Sequence, residues 1–84
     1  MSDTATMQAI AALIPTGARV LDLGCGEGAM LDFLQRQRGC TGYGVELDDA
    51  NVLACVRRGV NVLQLNLEAG LAMPADNSLA VVLP

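Results

Sequence analysis

Histidine, lysine and tryptophan are absent from this 84-residue sequence. Without imidazole there is no histidine general base, and the commonest metal ligand is missing, so chemistry falls to carboxylates and thiols. Positive charge is scarce as well. The five cations are all arginine (Arg19, Arg36, Arg38, Arg57, Arg58) against nine acids, giving a net charge of −4. That balance offers no basic face for nucleic acid. Phe33 and Tyr43 are the only aromatic residues, and twelve of the apolar residues are alanine. A core of such small side chains suits close packing of helices on a sheet. No apolar run approaches the roughly 18 residues needed to cross a bilayer, and Met1-Ser2-Asp3 lacks the basic region of a secretion signal. The sequence therefore reads as a soluble, cytoplasmic protein with no membrane partner. Its three cysteines, at 25, 40 and 55, are odd in number and widely spaced, which fits neither a disulfide framework nor a CxxC site. They read as small buried hydrophobes in a reducing compartment, and no metal site is expected.

What remains is enough for one small domain. Half the residues are apolar (52%) and 17% are charged, so a packed core is expected rather than disorder. Met7, Ile10, Ala11 and Ile14 recur at helical spacing, which predicts a short helix over Thr6–Ile14 closed by Pro15 and Gly17. Arg19–Leu23 is a β-rich run ended by Gly24. A helix follows from Glu27 to Arg38, with Met30, Leu31 and Leu34 on one face and Gly39 as its stop. Thr41–Val45 reads as a strand weakened by glycine, and Asp48 or Asp49 can cap a helix carrying Val52, Leu53 and Val56 before Gly59. The third strand is expected over Val60–Leu65, a loop over Glu68–Ser78, and a fourth strand over Leu79–Leu83. Strand and helix alternate in this way in a parallel sheet with right-handed crossovers, so the fold class is α/β.

Two turns concentrate the chemistry. The first joins strand one to the helix behind it, within Val20-Leu-Asp-Leu-Gly-Cys-Gly-Glu-Gly28. Its glycines allow a sharp bend and close approach of a ligand to the main chain, and the helix amino end offers N–H donors. The spacing Gly24-x-Gly26-x-x-Ala29 also satisfies a dinucleotide fingerprint, so a nicotinamide or flavin cofactor stays in view. Asp22 separates the candidates. A carboxylate in a short apolar strand costs several kcal/mol unless paired, so it suggests a cationic partner, although it could also accept N–H bonds from the turn. Beside a dinucleotide phosphate it would repel; beside an ammonium group it would attract. The second turn is Gly44-Val-Glu-Leu-Asp-Asp49, with Glu46 at the carboxyl end of strand two, where a carboxylate accepts both hydroxyls of a ribose. Leu47 can form an apolar wall against a purine. Asn66 and Leu67, after strand three, reach the same crevice, and the Asn66 amide can bond a base edge or serve only its own turn. Asp48 and Asp49 read as helix caps.

An ammonium end, a ribose and a purine at three successive strand ends describe S-adenosylmethionine. Val20–Gly28 resembles the first motif of class I S-adenosylmethionine-dependent methyltransferases, and Gly42–Asp48 resembles their acidic second motif. More narrowly, Gly39–Asp49, Asn51-Val52 and Cys55–Val62 are similar to the MetW family of methionine-biosynthesis proteins, a resemblance that runs from Ile14 to Leu83. It implies a Rossmann-like parallel sheet with its four strands in order 3-2-1-4, the N-terminal half of a seven-stranded domain. It assigns Asp22, Gly24 and Gly26 to the methionyl part of S-adenosylmethionine, Glu46 to the ribose, and Leu47, Asn66 and Leu67 to the adenine. It implies homoserine O-acyltransferase as a partner and names no catalytic residue. A chain ending in strand four is also expected to self-associate through that apolar edge.

Overall fold

A computed structural model describes residues 4–69 and 81–84. The chain runs α1 (Thr4–Ala12), β1 (Arg19–Leu23), α2 (Ala29–Arg38), β2 (Thr41–Glu46), α3 (Asp49–Arg58), β3 (Val62–Gln64), a single 3-10 turn (Leu67–Ala69) and β4 (Val81–Leu83). All pairings are parallel, in the order β3-β2-β1-β4, which is the expected class and order.

Register explains where the core lies. Val20 pairs with Val81, Asp22 with both Gly44 and Leu83, and Gly44 with Val62, so these residues share one face of the sheet. Val20, Val62, Val81 and Leu83 join Ile10 and Ala11 of α1, Leu31 and Leu34 of α2 and Cys55 of α3 in one apolar cluster. The three helices therefore cover one face. On the opposite face lie Leu21, Tyr43, Leu63 and Val82, the last three exposed.

Local chemistry fixes the boundaries. Glycines in the left-handed region end α2 and α3, at Gly39 and Gly59. Arg38 donates through Nε and Nη2 to the Ile14 carbonyl (3.2 and 2.7 Å), tying the end of α2 to the chain leaving α1. Asp32, in the first turn of α2, accepts from Arg36 and from Arg58 of α3. Its burial raises the acid's pKa, but the two guanidinium bonds outweigh this and hold it below the ordinary value.

Three expectations need correction. Helix α2 begins at Ala29 rather than Glu27, because a Gly28 N–H to Cys25 carbonyl bond (3.1 Å) closes a turn over Glu27 and Gly28 is left-handed. Strand β3 spans three residues, not six; Val60 precedes it, buried and bonded to the Cys55 carbonyl as part of the α3 cap. The inward side of α3 is Cys55, fully buried, while Leu53 and Val56 face out. Most of the loop expected over Glu68–Ser78, with Leu79 and Ala80, lies outside the described residues. No helix among the described residues is long and apolar enough to cross a membrane.

Candidate functional site

The β1 end and the turn after it are built against β2. The Gly24 and Cys25 amides both donate to the Val45 carbonyl (2.8 and 3.0 Å), and the Gly26 amide donates to Glu46 Oε1 (2.8 Å). Three successive N–H groups of the glycine turn are thus held by the end of β2. They are not free for a ligand in the way that the glycine pattern alone suggests. Gly26 has φ +59, and a Cβ added at Gly24 or Gly26 would meet nothing within 4 Å, so the outer side of the turn is an open cradle.

The glycine of β2 has a separate reason. A Cβ on Gly44 would come within 2.4 Å of Cys25 Sγ. The Cys25 side chain tucks beneath its own turn into the space that Gly44 leaves. There it meets Cys55 at 3.7 Å, and Cys55 donates to the Gly26 carbonyl at 3.3 Å. Burial first, then the bond to Cys55, pushes the Cys25 thiol up to about 12, so it stays protonated. Thirty residues separate the two cysteines, and nothing in their spacing signals that they touch.

Asp22 is the one buried charged residue among the described ones, at 6% exposure. Its strand neighbours at the same register are Gly44 and Leu83, which supply no charge. No described residue donates a hydrogen bond or a positive charge to it, and the turn amides that could have capped it go to β2 instead. Burial alone raises its acid to about 6.

Glu46 presents the opposite case. Its Oε2 accepts from the Asp48 amide (3.1 Å) and the Asn51 side-chain amide (3.4 Å), and its Oε1 from Gly26. These bonds, the Asp48 amide foremost, keep Glu46 below the usual carboxylate range. Asp48 is the α3 cap, accepting from the Asn51 amide at 3.0 Å. Asp49 instead receives Gln64 Nε2 (2.6 Å), which also donates to the Leu47 carbonyl (2.9 Å). Gln64 and Asn51, neither evident from sequence, hold the turn that carries Glu46 and Leu47.

A small cleft of about 240 Å³ opens beyond this turn, lined by Gly24, Glu46, Leu47, Leu65, Asn66 and Leu67. Leu47, Leu65 and Leu67 are exposed there, as apolar walls without a covering group. Asn66 Oδ1 accepts from the Glu68 amide (2.9 Å), the turn chemistry expected of it, which leaves its NH2 for another acceptor. A larger open cleft of about 1190 Å³ borders Asp22, Gly24, Cys25, Gly26 and Asn51. Gly24 belongs to both. All seven sequence-nominated residues therefore lie along one band at the carboxyl ends of β1, β2 and β3. That band is where ligands bind in open parallel sheets.

The family described as "Methionine biosynthesis protein MetW" matches residues 4–83. The bifunctional methionine biosynthesis protein MetXA/MetW of Rhodopirellula baltica is 33% identical over 90% of this chain and 14% of its own length. Among solved structures, a SAM-dependent methyltransferase from Thiobacillus denitrificans, in complex with S-adenosyl-L-homocysteine, superposes with TM-score 0.74 at 26% identity, over 83% of this chain and 32% of that one. The [4+2]-cyclase SpnF shares the fold with TM-score 0.74 at 22% identity, over 93% of this chain and 32% of its own. The chain thus spans about a third of these structures and a seventh of the curated relative.

Proposed function

We propose a function from one premise: the chain belongs to the MetW family of methionine biosynthesis proteins. On this reading, residues 1–84 form the cofactor-binding half of a class I methyltransferase-like domain and bind S-adenosylmethionine across the ends of β1, β2 and β3. Asp22 takes the ammonium group of the methionyl part, and the open cradle at Gly24 and Gly26 gives that part room beside the main chain. Glu46, held ionised by its amide donors, keeps lone pairs for the ribose hydroxyls. Leu47 and Leu67 flank the adenine, and the Asn66 NH2 bonds its edge. When bound, the cofactor supplies an electrophilic methyl group on a sulfonium. The residues of this chain contribute binding and orientation.

The observation that carries this reading is Asp22, a buried carboxylate with no partner among the described residues, facing an open cradle. Among the described residues, Arg36 and Arg58 on the same cleft are paired with Asp32 and no cation pairs with Asp22; the ligand brings one. A dinucleotide would instead set a phosphate beside that carboxylate, with Glu27 adding a second negative charge on the same turn.

A second reading has its own support. One relative carries MetXA and MetW in a single polypeptide. This favours homoserine O-acyltransferase as a partner, beside which the chain would act with or without methyl transfer. The shared fold of a [4+2]-cyclase is a reminder that this architecture alone does not select methyl transfer.

Calorimetric titration with S-adenosylhomocysteine and with NAD tests the first reading. Saturable binding of S-adenosylhomocysteine alone supports it, and binding of NAD alone overturns it. Binding of neither, together with co-elution with the acyltransferase, favours a non-catalytic partner module.

A further inference from the structure

The start of α3 departs from an ordinary capped helix in one respect. In a capping box the side chain at the third helical position reaches back to the N–H of the cap residue. Asp48 is the cap here and Asn51 holds that third position, with its backbone amide on Asp48 Oδ2 at 3.0 Å. The Asp48 N–H does not wait for Asn51, because Glu46 Oε2 already accepts it at 3.1 Å. Asn51 turns its NH2 to that same oxygen, at 3.4 Å. The position thus needs a donor, where an ordinary capping box needs an acceptor.

We infer that Asn51 is a positioning residue for ribose recognition. It fixes the Glu46 carboxylate from the α3 side while Gly26 fixes it from the β1 side. The geometry divides the two oxygens: Oε1 belongs to the glycine turn, and Oε2 to the turn and helix after β2. A carboxylate held at both oxygens cannot rotate, so its free lone pairs point in fixed directions toward a diol. Asn51 also borders the larger cleft, on the side where Asp22 and Gly26 lie. Truncating it removes a donor to Glu46 and leaves the Asp48 cap bond in place, since that bond uses the Asn51 backbone. Among the described residues, the Cys25 thiol, from the β1 turn, feels the Glu46 charge, and Asp48, whose backbone amide Glu46 accepts, carries the adjoining carboxylate.

This inference rests on S-adenosylmethionine binding as proposed above, and the experiment separates the two. S-adenosylhomocysteine affinity is measured for the unsubstituted protein, Asn51→Ala, Asn51→Asp, Glu46→Gln and the Asn51→Ala/Glu46→Gln double variant, with a thermal melt of each. Because the bond from Asn51 to Glu46 is long, at 3.4 Å, and acts on the ligand only through Glu46, its loss predicts about 5- to 10-fold weaker binding by Asn51→Ala, the range of an ordinary hydrogen bond. In the Glu46→Gln background the same change has no further effect, because the group that Asn51 positions has already been altered. Asn51→Asp suits the helix start as well as asparagine does, since an acid is favoured in the first turn. It nevertheless sets a second carboxylate against Glu46. Its deficit relative to the unsubstituted protein is therefore largest at pH 8 and shrinks toward pH 5, as the new acid regains a proton to donate, while its melting point stays within a few degrees. A purely structural role predicts a pH-independent ratio and a deficit that persists in the double variant; either result overturns the inference. No binding by the unsubstituted protein overturns the cofactor reading and this inference with it. Equal binding by the unsubstituted protein and Asn51→Ala overturns the role of Asn51 alone.

Discussion

If Asp22 holds the ligand's ammonium group as proposed, its burial costs the fold stability and gains ligand affinity, and Asp22→Asn separates the two effects. Its acid is raised from an ordinary 3.8 to about 6 by burial. The native state therefore holds this proton more tightly than the unfolded chain does. The resulting penalty is full above about pH 6, fades between 6 and 3.8, and vanishes below that. That rise, from 3.8 to about 6, corresponds to at most about 3 kcal/mol, and solvent reaching the carboxylate from the open cleft reduces this to about 1–2 kcal/mol. Asp22→Asn removes the penalty. At pH 7.5 the ligand-free variant is expected to melt higher than the unsubstituted protein, by about 4–8 °C for each kcal/mol relieved. At pH 4 the two should coincide. Binding should move the other way. A lost charge-assisted hydrogen bond of about 1.5–3 kcal/mol predicts roughly 10- to 100-fold weaker S-adenosylhomocysteine binding by the variant at pH 7.5. In the unsubstituted protein, affinity should fall about tenfold per pH unit below 6, because an ammonium ligand needs the ionised carboxylate, whereas the variant should lack that slope. Differential scanning fluorimetry and calorimetric titration across pH 4–8 read both effects. A lower melting point for Asp22→Asn at pH 7.5 would refute the reasoning by showing that the carboxylate serves the turn. Equal affinity of the unsubstituted protein at pH 5 and pH 7.5 would refute it from the ligand side.

Gly44→Ala brings a methyl group within 2.4 Å of Cys25 Sγ and 2.8 Å of its Cβ. It should cost about 1–3 kcal/mol and displace the glycine turn, seen as a lower denaturation midpoint together with weaker S-adenosylhomocysteine binding. Asp32→Ala breaks the Arg36 pair within α2 and the Arg58 pair from α3, whose arginine side chains are 72% and 39% exposed. The loss should stay near 1 kcal/mol or below and shrink further in 1 M salt, with ligand affinity unchanged; a loss above 2 kcal/mol would contradict it. In the described sheet β4 is an edge, with Val82 exposed, and Tyr43 and Leu63 lie uncovered on the same face. The 84-residue chain expressed alone is therefore expected to self-associate in sedimentation velocity, and substituting Val82 by lysine should shift it toward monomer.

What the sequence disclosed and what it hid divide along the range of the interactions involved. Glycine at 24, 26, 39 and 59 and the β-rich runs act over a few residues, so the alternation of elements, the strand order drawn from the family motif and the ends of α2 and α3 could all be read in advance. Asp22 and Glu46 were legible for a related reason: a carboxylate next to a strand end is conspicuous against an apolar run. Long-range pairings were not legible. Cys55 is buried as its residue type led one to expect, but that it fills the space bounded by Gly28 and Cys25 while Leu53 faces out is not visible in a helical period. The donors to Glu46 come from Gly26, twenty residues earlier, and from Asn51, whose presence in a first helical turn has an ordinary capping explanation. The same distinction separates the two carboxylates. Glu46 is supplied with amide donors and remains ionised, while the amides nearest Asp22 are spent on β2. Tying the glycine turn to β2 is thus what leaves Asp22 without a partner among the described residues, so the rigidity of the turn and the unpaired buried carboxylate have a common structural origin.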